Sequence, residues 1–397
     1  MAAVTVLPDA PWRHMAGIGL IHSVLGSDEA MTRIVGGAVR DGLAGQPVKD
    51  IDLATRFTPD EVIARLKHAG VKTVPTGIAH GTVTAVIGGG NVEITTLRRD
   101  VTTDGRRATI AYTDDWQEDA ARRDFTINAL YADPASGAVY DYFGGVDDLN
   151  AGIVRFIGDP LQRIAEDHLR ILRFFRFGAR YGKGAVDQAA LMACAARAND
   201  LMALSRERIA DELIKILTLV EPVETLKLML TQGILKPVLP EIGDVKPLAA
   251  LIAIEPEAKP EPIRRLAALI AADQMVANGI AKRLKLSKMA NKRLINASKR
   301  TQNDRINPYA LAYRLGTEYA VDRLLLLGDT AGVAIVSNWP IPVLPITGGA
   351  LVKRGISAGP EVARILKMVE ARWIEEGFPT AARVDAIADM LVKTGYP

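Results

Sequence analysis

The sequence predicts an α+β protein in which a region of mixed strands and helices precedes a longer, helical region. Alternation typical of strands is confined to residues 1–145, and amphipathic helical spacing dominates after it. The chain of 397 residues exceeds the size of one ordinary core, and a hydrophobic content of 49% with 5% aromatics fits an aliphatic, largely helical interior. We therefore expect two or more domains.

A glycine turn stands at the end of the first predicted strand. Gly36 and Gly37 follow a short apolar run and precede a predicted helix that carries Arg40. Such a turn lets backbone N–H groups approach phosphate oxygens, and an arginine can add a planar, charged fork. A pair of glycines is also typical of an ordinary turn, so the order of the following residues decides the interpretation.

A pair of carboxylates follows the turn. Asp50 and Asp52 bracket Ile51 in a predicted strand, so both carboxylates share one face. Carboxylates next to a phosphate site indicate Mg²⁺-assisted phosphoryl chemistry, although this pattern is also typical of a solvated strand end. The later strand over residues 92–97 places Glu93 opposite its apolar neighbours. Beside the Asp50 strand, Glu93 would be a third carboxylate; elsewhere it would be a solvated side chain.

Residues 98–121 contain few apolar anchors and are interpreted as a mobile loop. The pattern then becomes helical, and a helix is predicted over residues 160–182. On one face of it Asp167, Arg170 and Arg173 follow at spacings of three, and Arg176 continues the row. This row fits a salt-bridged helix surface. It also fits base selection, because a carboxylate and an arginine together match the amine and ring nitrogen of cytosine or adenine and oppose guanine and uracil.

A dense basic run lies in the helical half, between residues 282 and 305, and contains one acidic residue. The pattern is typical either of a solvated face or of a surface that follows an RNA backbone. The net charge of +3 does not decide between them. The RNA-binding candidates are Lys282, Arg283, Lys285, Lys288, Lys292 and Arg293.

The compartment is predicted from cysteine usage and from apolar segments. Cys194 is the single cysteine, which excludes disulfides and fits a reducing compartment. The first residues lack the pattern of a signal peptide, and prolines and glycines interrupt the apolar stretch over residues 324–352. We expect a cytoplasmic protein with no membrane segment, and no protein partner is predicted.

Four motifs in order resemble one family. GGAVRD followed by KDIDLAT resembles motif A of the tRNA nucleotidyltransferase and poly(A) polymerase superfamily, and HGTV with VEITTLR, RRDFTINAL and EDHLRILR resemble its later motifs. The chain is similar to the bacterial-type (class II) enzymes that add CCA to tRNA. This resemblance implies a polymerase-β-like nucleotidyltransferase head over residues 1–145, a helical neck over 146–220, and an RNA-binding body and a tail over 221–330 and 331–397.

The resemblance also implies a role for each candidate residue. It implies that Asp50 and Asp52 bind two Mg²⁺ ions and that Glu93 assists them; in the family, the segment at residues 98–121 helps the site change between nucleotides. The implied nucleotide-binding residues are Gly36, Gly37 and Arg40 for the triphosphate, Arg123 for the nucleotide, Asp167 and Arg170 for base selection, and Arg173 and Arg176 as extensions of the site.

The expected activity is template-independent addition of C, C and A to the 3′ end of tRNA, with CTP and ATP as substrates. Poly(A) synthesis or addition of the terminal A alone are alternatives within the family. A glycosyltransferase that uses Asp50 and Asp52, and a tRNA-binding protein without catalysis, are alternatives from other classes. The glycosyltransferase does not account for RRDFTINAL or EDHLRILR.

Overall fold

The computed structural model describes residues 5–26, 30–88, 90–104, 107–256 and 260–393. Contacts between Cα atoms divide the chain into two compact units, Met1–Pro240 and Glu241–Pro397. In the described chain after Asp141, the regular elements are all helices. The predicted α+β class is therefore confirmed.

A mixed sheet forms the centre of the first unit. Its seven strands run in the order β3-β4-β5-β2-β1-β8-β9, and β6 pairs with β7 in a separate ribbon. Strand β2 pairs with β1 in antiparallel and with β5 in parallel orientation. The strands are β1 (Thr32–Val35), β2 (Ile51–Thr55), β3 (Lys72–Gly77), β4 (Thr82–Ile87), β5 (Gly90–Thr96), β6 (Arg98–Asp104), β7 (Arg107–Tyr112), β8 (Leu130–Ala132) and β9 (Val139–Asp141).

Strand alternation gives this sheet two different faces. Ile34 and Leu53 point into one apolar cluster that includes residues of the first helices. Val35 and Ala54, one position later on each strand, belong to the cluster on the other face, together with Trp116. Side chains alternate along a strand with a period of two, so Asp52 shares the face of Val35 and Ala54.

The helices of the first unit flank this sheet or follow it. The one that begins at Pro59 has a complete capping box, in which Thr58 and Glu61 exchange hydrogen bonds. The helices are α1 (Ala16–Val24), α2 (Gly37–Leu43), α3 (Pro59–His68), α4 (Trp116–Ala121), α5 (Gly145–Ala151), α6 (Pro160–Glu166), α7 (Arg170–Tyr181), α8 (Gln188–Ala196), α9 (Arg206–Leu217) and α10 (Val223–Thr231).

The second unit is helical throughout its described regular elements. Trp373 is buried in one of its apolar clusters. None of the described helices is both long and apolar enough to cross a membrane. The helices are α11 (Lys246–Ile252), α12 (Pro262–Ala268), α13 (Gln274–Arg283), α14 (Lys288–Ser298), α15 (Pro308–Leu315), α16 (Thr317–Leu326), α17 (Thr330–Ser337), α18 (Gly348–Val352), α19 (Pro360–Glu375) and α20 (Ala381–Lys393).

Two predicted elements differ in the structure. Residues 98–121, interpreted as a loop, contain the β6–β7 ribbon and α4. The helix predicted over residues 160–182 is two helices, because α6 ends at Glu166 and Asp167 adopts an extended conformation with φ −152° and ψ 104°. The Asp167 carboxylate accepts the Leu169 N–H at 3.1 Å, a local bond that competes with the helical pattern.

Candidate active site

The glycine turn connects β1 to α2 and requires a residue without a side chain. Gly36 has φ +68°, a left-handed conformation that favours glycine. A Cβ added there would lie 3.5 Å from Nη1 of Arg123 and 3.5 Å from the carbonyl oxygen of Asn128. The turn therefore brings the backbone of Gly36 next to Arg123, the second arginine of RRDFTINAL.

Two carboxylates lie side by side on neighbouring strands. Asp52 of β2 pairs in register with Val35 of β1 and with Glu93 of β5. Burial and the negative charges of Glu93 and Asp50 together raise the pKa of Asp52 to about 6, although the positive charge of Arg123 opposes this rise. Asp50 is exposed and immediately precedes β2. The neighbourhood thus concentrates negative charge, which a bound cation would relieve.

The donor set fits a hard divalent cation. Asp50, Asp52 and Glu93 offer carboxylate oxygens, the ligands that Mg²⁺ prefers. Among the residues that the structure describes, no group of three or more His, Cys, Asp and Glu side chains is arranged to hold a metal ion. A metal site here would therefore be completed by substrate phosphates and water, as is usual for Mg²⁺.

A buried carboxylate orients Arg123. Asp119 accepts from Nη2 of Arg123 at 3.1 Å, from Nε of Arg122 at 2.8 Å and from the Tyr131 hydroxyl at 2.6 Å. Burial acts to raise the pKa of Asp119, but Arg123 and Arg122 outweigh it and hold the pKa well below its ordinary value. Arg123 also donates from Nε to Tyr131 at 3.1 Å, which leaves its Nη1 group directed towards Gly36.

Asp167 lies at the junction of α6 and α7 and is held from two sides. Its Oδ1 accepts the Leu169 N–H at 3.1 Å, and its Oδ2 accepts Nη2 of Arg208 on α9 at 2.7 Å. Two carboxylate oxygens provide about four acceptor positions, so the Asp167 carboxylate retains capacity for a further donor. Its ion-pair partner is Arg208, not the arginine three residues later.

Arg170 is held by the segment that precedes it and by the RRD segment. Its Nη1 donates to the Arg163 carbonyl at 2.9 Å and to Glu166 at 2.5 Å, and its Nη2 donates to the Arg122 carbonyl at 3.2 Å. A guanidinium has five N–H donors, so Nε and one Nη2 hydrogen are not used by these bonds. Arg170 is therefore positioned and still has donors for a ligand.

The other arginines of the predicted row face different partners. Arg173 donates from Nε to Asp124 at 2.7 Å. Arg176 donates from Nε to the buried Glu212 of α9 at 2.5 Å, and burial lowers its pKa despite this partner. Arg173 and Arg176 both lie against the ring of Phe177, and the part of Arg176 in nucleotide binding stays a prediction.

Most of the predicted nucleotide-binding residues converge on one cleft of about 360 Å³. We call it the arginine-rich cleft, since five arginines and three aspartates contribute to its wall. Asp50, Glu93 and Arg176 are not among the lining residues. The cleft is lined by Gly36, Gly37, Arg40, Asp52, Arg122, Arg123, Asp124, Asn128, Asp167, Arg170, Arg173 and Phe177.

Sequence reasoning missed several residues that build this cleft. Arg122 could have been found, since it adjoins Arg123 in the same motif. Phe177 contributes to the wall, and its ring lies 5.0 Å from the Arg40 guanidinium and 5.2 Å from that of Arg173. Arg208 is outside the lining of the cleft and contacts it through Asp167; it lies in an ordinary amphipathic helix, where no local pattern distinguishes it.

The basic run of the second unit is divided between exposed lysines and paired arginines. Lys282, Lys285, Lys288 and Lys292 are exposed. By contrast, Arg283 forms an ion pair with Glu241. Arg293 is surrounded by three carboxylates, with distances of 2.7 Å to Asp322 and 3.0 Å to Glu261 and a further contact with Glu318.

A solved structure has the same fold as this chain. The crystal structure of Bacillus stearothermophilus CCA-adding enzyme in complex with CTP superposes with a TM-score of 0.73 at 23% identity, over 96% of this chain and 94% of that one. Together with the match of residues 32–155 to a nucleotidyltransferase head domain, this likeness gives the class: a polymerase-β-like nucleotidyltransferase head followed by a helical region.

Family models and relatives identify the particular family. Residues 32–155 match the poly(A) polymerase head domain, and residues 185–245 match a probable RNA and SrmB-binding site of polymerase A. The CCA tRNA nucleotidyltransferase 1, mitochondrial, of Danio rerio is 36% identical over 86% of this chain and 83% of the relative, and that of Homo sapiens is 37% identical over 87% and 83%. The chain belongs to the class II CCA tRNA nucleotidyltransferase and poly(A) polymerase family. Enzymes of this family use a divalent metal ion.

Proposed function

We propose that this chain adds C, C and A to the 3′ end of tRNA, using CTP and ATP in the arginine-rich cleft. The observation that carries the proposal is that the glycine turn, Asp52, Arg123 and the pair Asp167 and Arg170 line one cleft. From first to last these residues span more than a hundred positions in the sequence, and only the fold brings them together. The excess of arginines over aspartates suits a triphosphate.

Asp50 and Asp52 would hold Mg²⁺, with Glu93 beside them. Mg²⁺ bound there supplies Lewis-acid activation of the RNA 3′-hydroxyl and neutralises charge on the leaving pyrophosphate. The raised pKa of Asp52 supports this assignment, because a half-buried carboxylate beside other carboxylates favours a cation. The backbone of Gly36 and Gly37 forms the wall next to the triphosphate.

Arg123 would contact the phosphate or ribose of the incoming nucleotide. Its Nη1 lies beside Gly36, whereas its Nε and Nη2 are used by Tyr131 and Asp119. The pKa of Arg123 is raised: burial opposes the charge, but Tyr131 and Asp119 outweigh burial. The guanidinium is therefore charged and preorganised, so little orientation is lost when the nucleotide binds.

Asp167 and Arg170 would select the base. The Asp167 carboxylate accepts from the exocyclic amine of cytosine or adenine, and Arg170 donates to the adjacent ring nitrogen. Uracil and guanine present a carbonyl to Asp167 and an N–H to Arg170, so both contacts become repulsive. The contacts of Asp167 with Arg208 and of Arg170 with Glu166 support this role, since they hold the two side chains in place.

The second unit would bind the body of the tRNA. The exposed Lys282, Lys285, Lys288 and Lys292 can neutralise RNA phosphates. Arg283 and Arg293 were predicted for the same surface, but their charges are balanced by Glu241 and by three carboxylates. We therefore assign RNA contact to the lysines and structural ion pairs to the two arginines.

The activity is tested by incubating the protein with tRNA that lacks its three terminal nucleotides, with each labelled nucleoside triphosphate and with Mg²⁺ or EDTA. We expect incorporation of two C and one A with Mg²⁺, and none with EDTA. Runs of A would indicate a poly(A) polymerase. Addition of A only to tRNA that already ends in CC would indicate an A-adding enzyme, and no incorporation would refute the proposal.

We also place the chain in the cytoplasm. A single buried cysteine, Cys194, supports a reducing compartment. The two vertebrate relatives carry the word mitochondrial in their names. Fluorescent tagging of the chain in its own cells separates a cytoplasmic from an organellar location.

A further inference from the structure

The carboxylate of Asp41 connects α2 with the end of α7. Asp41 follows Arg40 in the sequence and is buried. Its Oδ1 accepts the hydroxyl of Tyr181 and Nε of Arg40 at 2.9 Å, and its Oδ2 accepts Nη2 of Arg180 at 3.3 Å. The Arg40 guanidinium lies 4.5 Å from the centre of the Tyr181 ring. Both α2 and α7 therefore supply partners to one buried carboxylate.

A second series of bonds returns from Arg40 to α7. Arg40 donates from Nη1 to Oδ1 of Asn128, and Asn128 donates from Nδ2 to Oδ1 of Asp124 at 2.9 Å. The other oxygen of Asp124 accepts Nε of Arg173 at 2.7 Å. Burial acts to raise the pKa of Asp124, but Arg173 outweighs it and lowers the pKa, so this carboxylate stays charged.

These bonds form a closed polar ring that begins and ends on α7. Its members are Tyr181, Asp41, Arg40, Asn128, Asp124 and Arg173. The ring holds α7 at two points, Arg173 and Tyr181, which are eight residues or about two helical turns apart. Arg170 begins this helix, and Asp167 lies three residues earlier, at the end of α6. The position of Asp167 and Arg170 relative to the glycine turn therefore depends on both attachment points.

We propose that Asp41 and Tyr181 are positioning residues for base selection, an inference that rests on the proposed function. Neither Asp41 nor Tyr181 lines the arginine-rich cleft. They act through α7, whose attachment to α2 keeps Asp167 and Arg170 aligned with the nucleotide held at the glycine turn. Arg40, which lines the cleft and was predicted to hold the triphosphate, is also the central member of this ring.

The test compares two Tyr→Phe variants that lose the same kind of hydrogen bond. Tyr181→Phe removes the donor to Asp41. Tyr313→Phe is the control, because the Tyr313 hydroxyl donates to Glu370 at 2.6 Å in the second unit. For the wild type and both variants, kcat/KM is measured for CTP and for UTP on tRNA lacking its three terminal nucleotides, together with thermal unfolding.

We expect Tyr181→Phe to lower the ratio of kcat/KM for CTP over UTP by about tenfold, because small displacements of positioned groups are costly. CTP addition should fall, while UTP addition, which gains nothing from Asp167 and Arg170, should stay constant or rise. Tyr313→Phe should leave the ratio unchanged. An unchanged ratio in Tyr181→Phe, or equal losses for CTP and UTP, would overturn the positioning role.

A wild type that adds no nucleotide would refute the proposed function itself, and the two failures are therefore distinguishable. Arg180→Gln is a second variant for the case in which Tyr181→Phe does not fold. Arg180 donates to the other oxygen of Asp41 and is partly exposed, so its loss perturbs the same attachment with less effect on folding. The CTP preference of Arg180→Gln should fall in the same direction by a smaller factor, and an unchanged preference would overturn the inference.

Discussion

Replacing Asp119 with Asn should strongly destabilise the first unit. The side chain of Asp119 is 1% exposed, and both of its oxygens are saturated. Its Oδ1 accepts from the Arg98 backbone N–H at 3.2 Å and from Arg122, and its Oδ2 accepts from Arg123 and Tyr131. An asparagine amide in either orientation places its NH₂ group against two of these donors.

The expected cost follows from the loss of a buried charge that has two arginine partners. Removing one member of a buried ion pair typically costs about 3 to 5 kcal/mol, because the remaining charge is left uncompensated. Urea unfolding of Asp119→Asn should show this loss of free energy with an unchanged dependence on urea. The control is Asp114→Asn, an exposed change nearby that should alter the free energy of unfolding by less than about 0.5 kcal/mol.

The loss should also depend on pH in a defined direction. The pKa of Asp119 in the folded protein lies below the ordinary value of 3.8. Its stabilising contribution is therefore complete above pH 3.8 and is lost as the pH falls towards the folded-state pKa. The difference between wild type and Asp119→Asn should be largest at neutral pH and should narrow in acid. A difference below about 1 kcal/mol at neutral pH would refute the energetic reasoning.

Three further predictions concern catalysis, base selection and RNA binding. Asp50→Ala should abolish nucleotide incorporation and leave tRNA affinity in filter binding nearly unchanged; an equal loss of affinity would indicate a structural role. Asp167→Ala should relax discrimination against UTP and GTP, and Arg208→Ala should do so more weakly; an unchanged nucleotide preference would contradict the assignment. Lys292→Ala should weaken tRNA binding and reduce the salt dependence of binding by about one phosphate contact. Arg293→Ala should chiefly lower the free energy of unfolding, by about 3 kcal/mol. The opposite pattern in the last pair would reverse the assignments of lysine and arginine.

The features that strand alternation controls were predictable from the sequence. Glu93 was expected to face away from its apolar neighbours and, if its strand lay beside that of Asp52, to stand next to this aspartate. The parallel pairing of β2 and β5 places the two residues in register. Burial of one face of a sheet strongly restricts the register of its strands. The alternation of apolar and polar residues around Glu93 therefore predicts the face of the sheet on which Glu93 lies.

The features that depend on partners distant in the sequence were not predictable. The charge of Arg293 looked unbalanced within its own segment, yet its partners Asp322, Glu318 and Glu261 come from elsewhere in the chain. Asp167 was placed inside a helix because the apolar spacing continues across it. The break arises from its own bond to the Leu169 N–H, which apolar periodicity does not report.

The two attachment points of α7 make the helix act as a lever. At a rise of about 1.5 Å per residue, Tyr181 lies about 12 Å beyond Arg173, and Arg170 lies about 4.5 Å before it. If Arg173 is the pivot, a movement of about 1 Å at Tyr181 shifts Arg170 by about 0.4 Å in the opposite direction. Functional groups must be held within about 0.5 Å of their working geometry, so a shift of about 0.4 Å at Arg170 uses most of this tolerance and a larger movement at Tyr181 exceeds it. The proposed base selection would therefore depend on the two lengths along α7, from Arg173 to Tyr181 and from Arg173 to Arg170, as well as on the chemistry of Asp167 and Arg170.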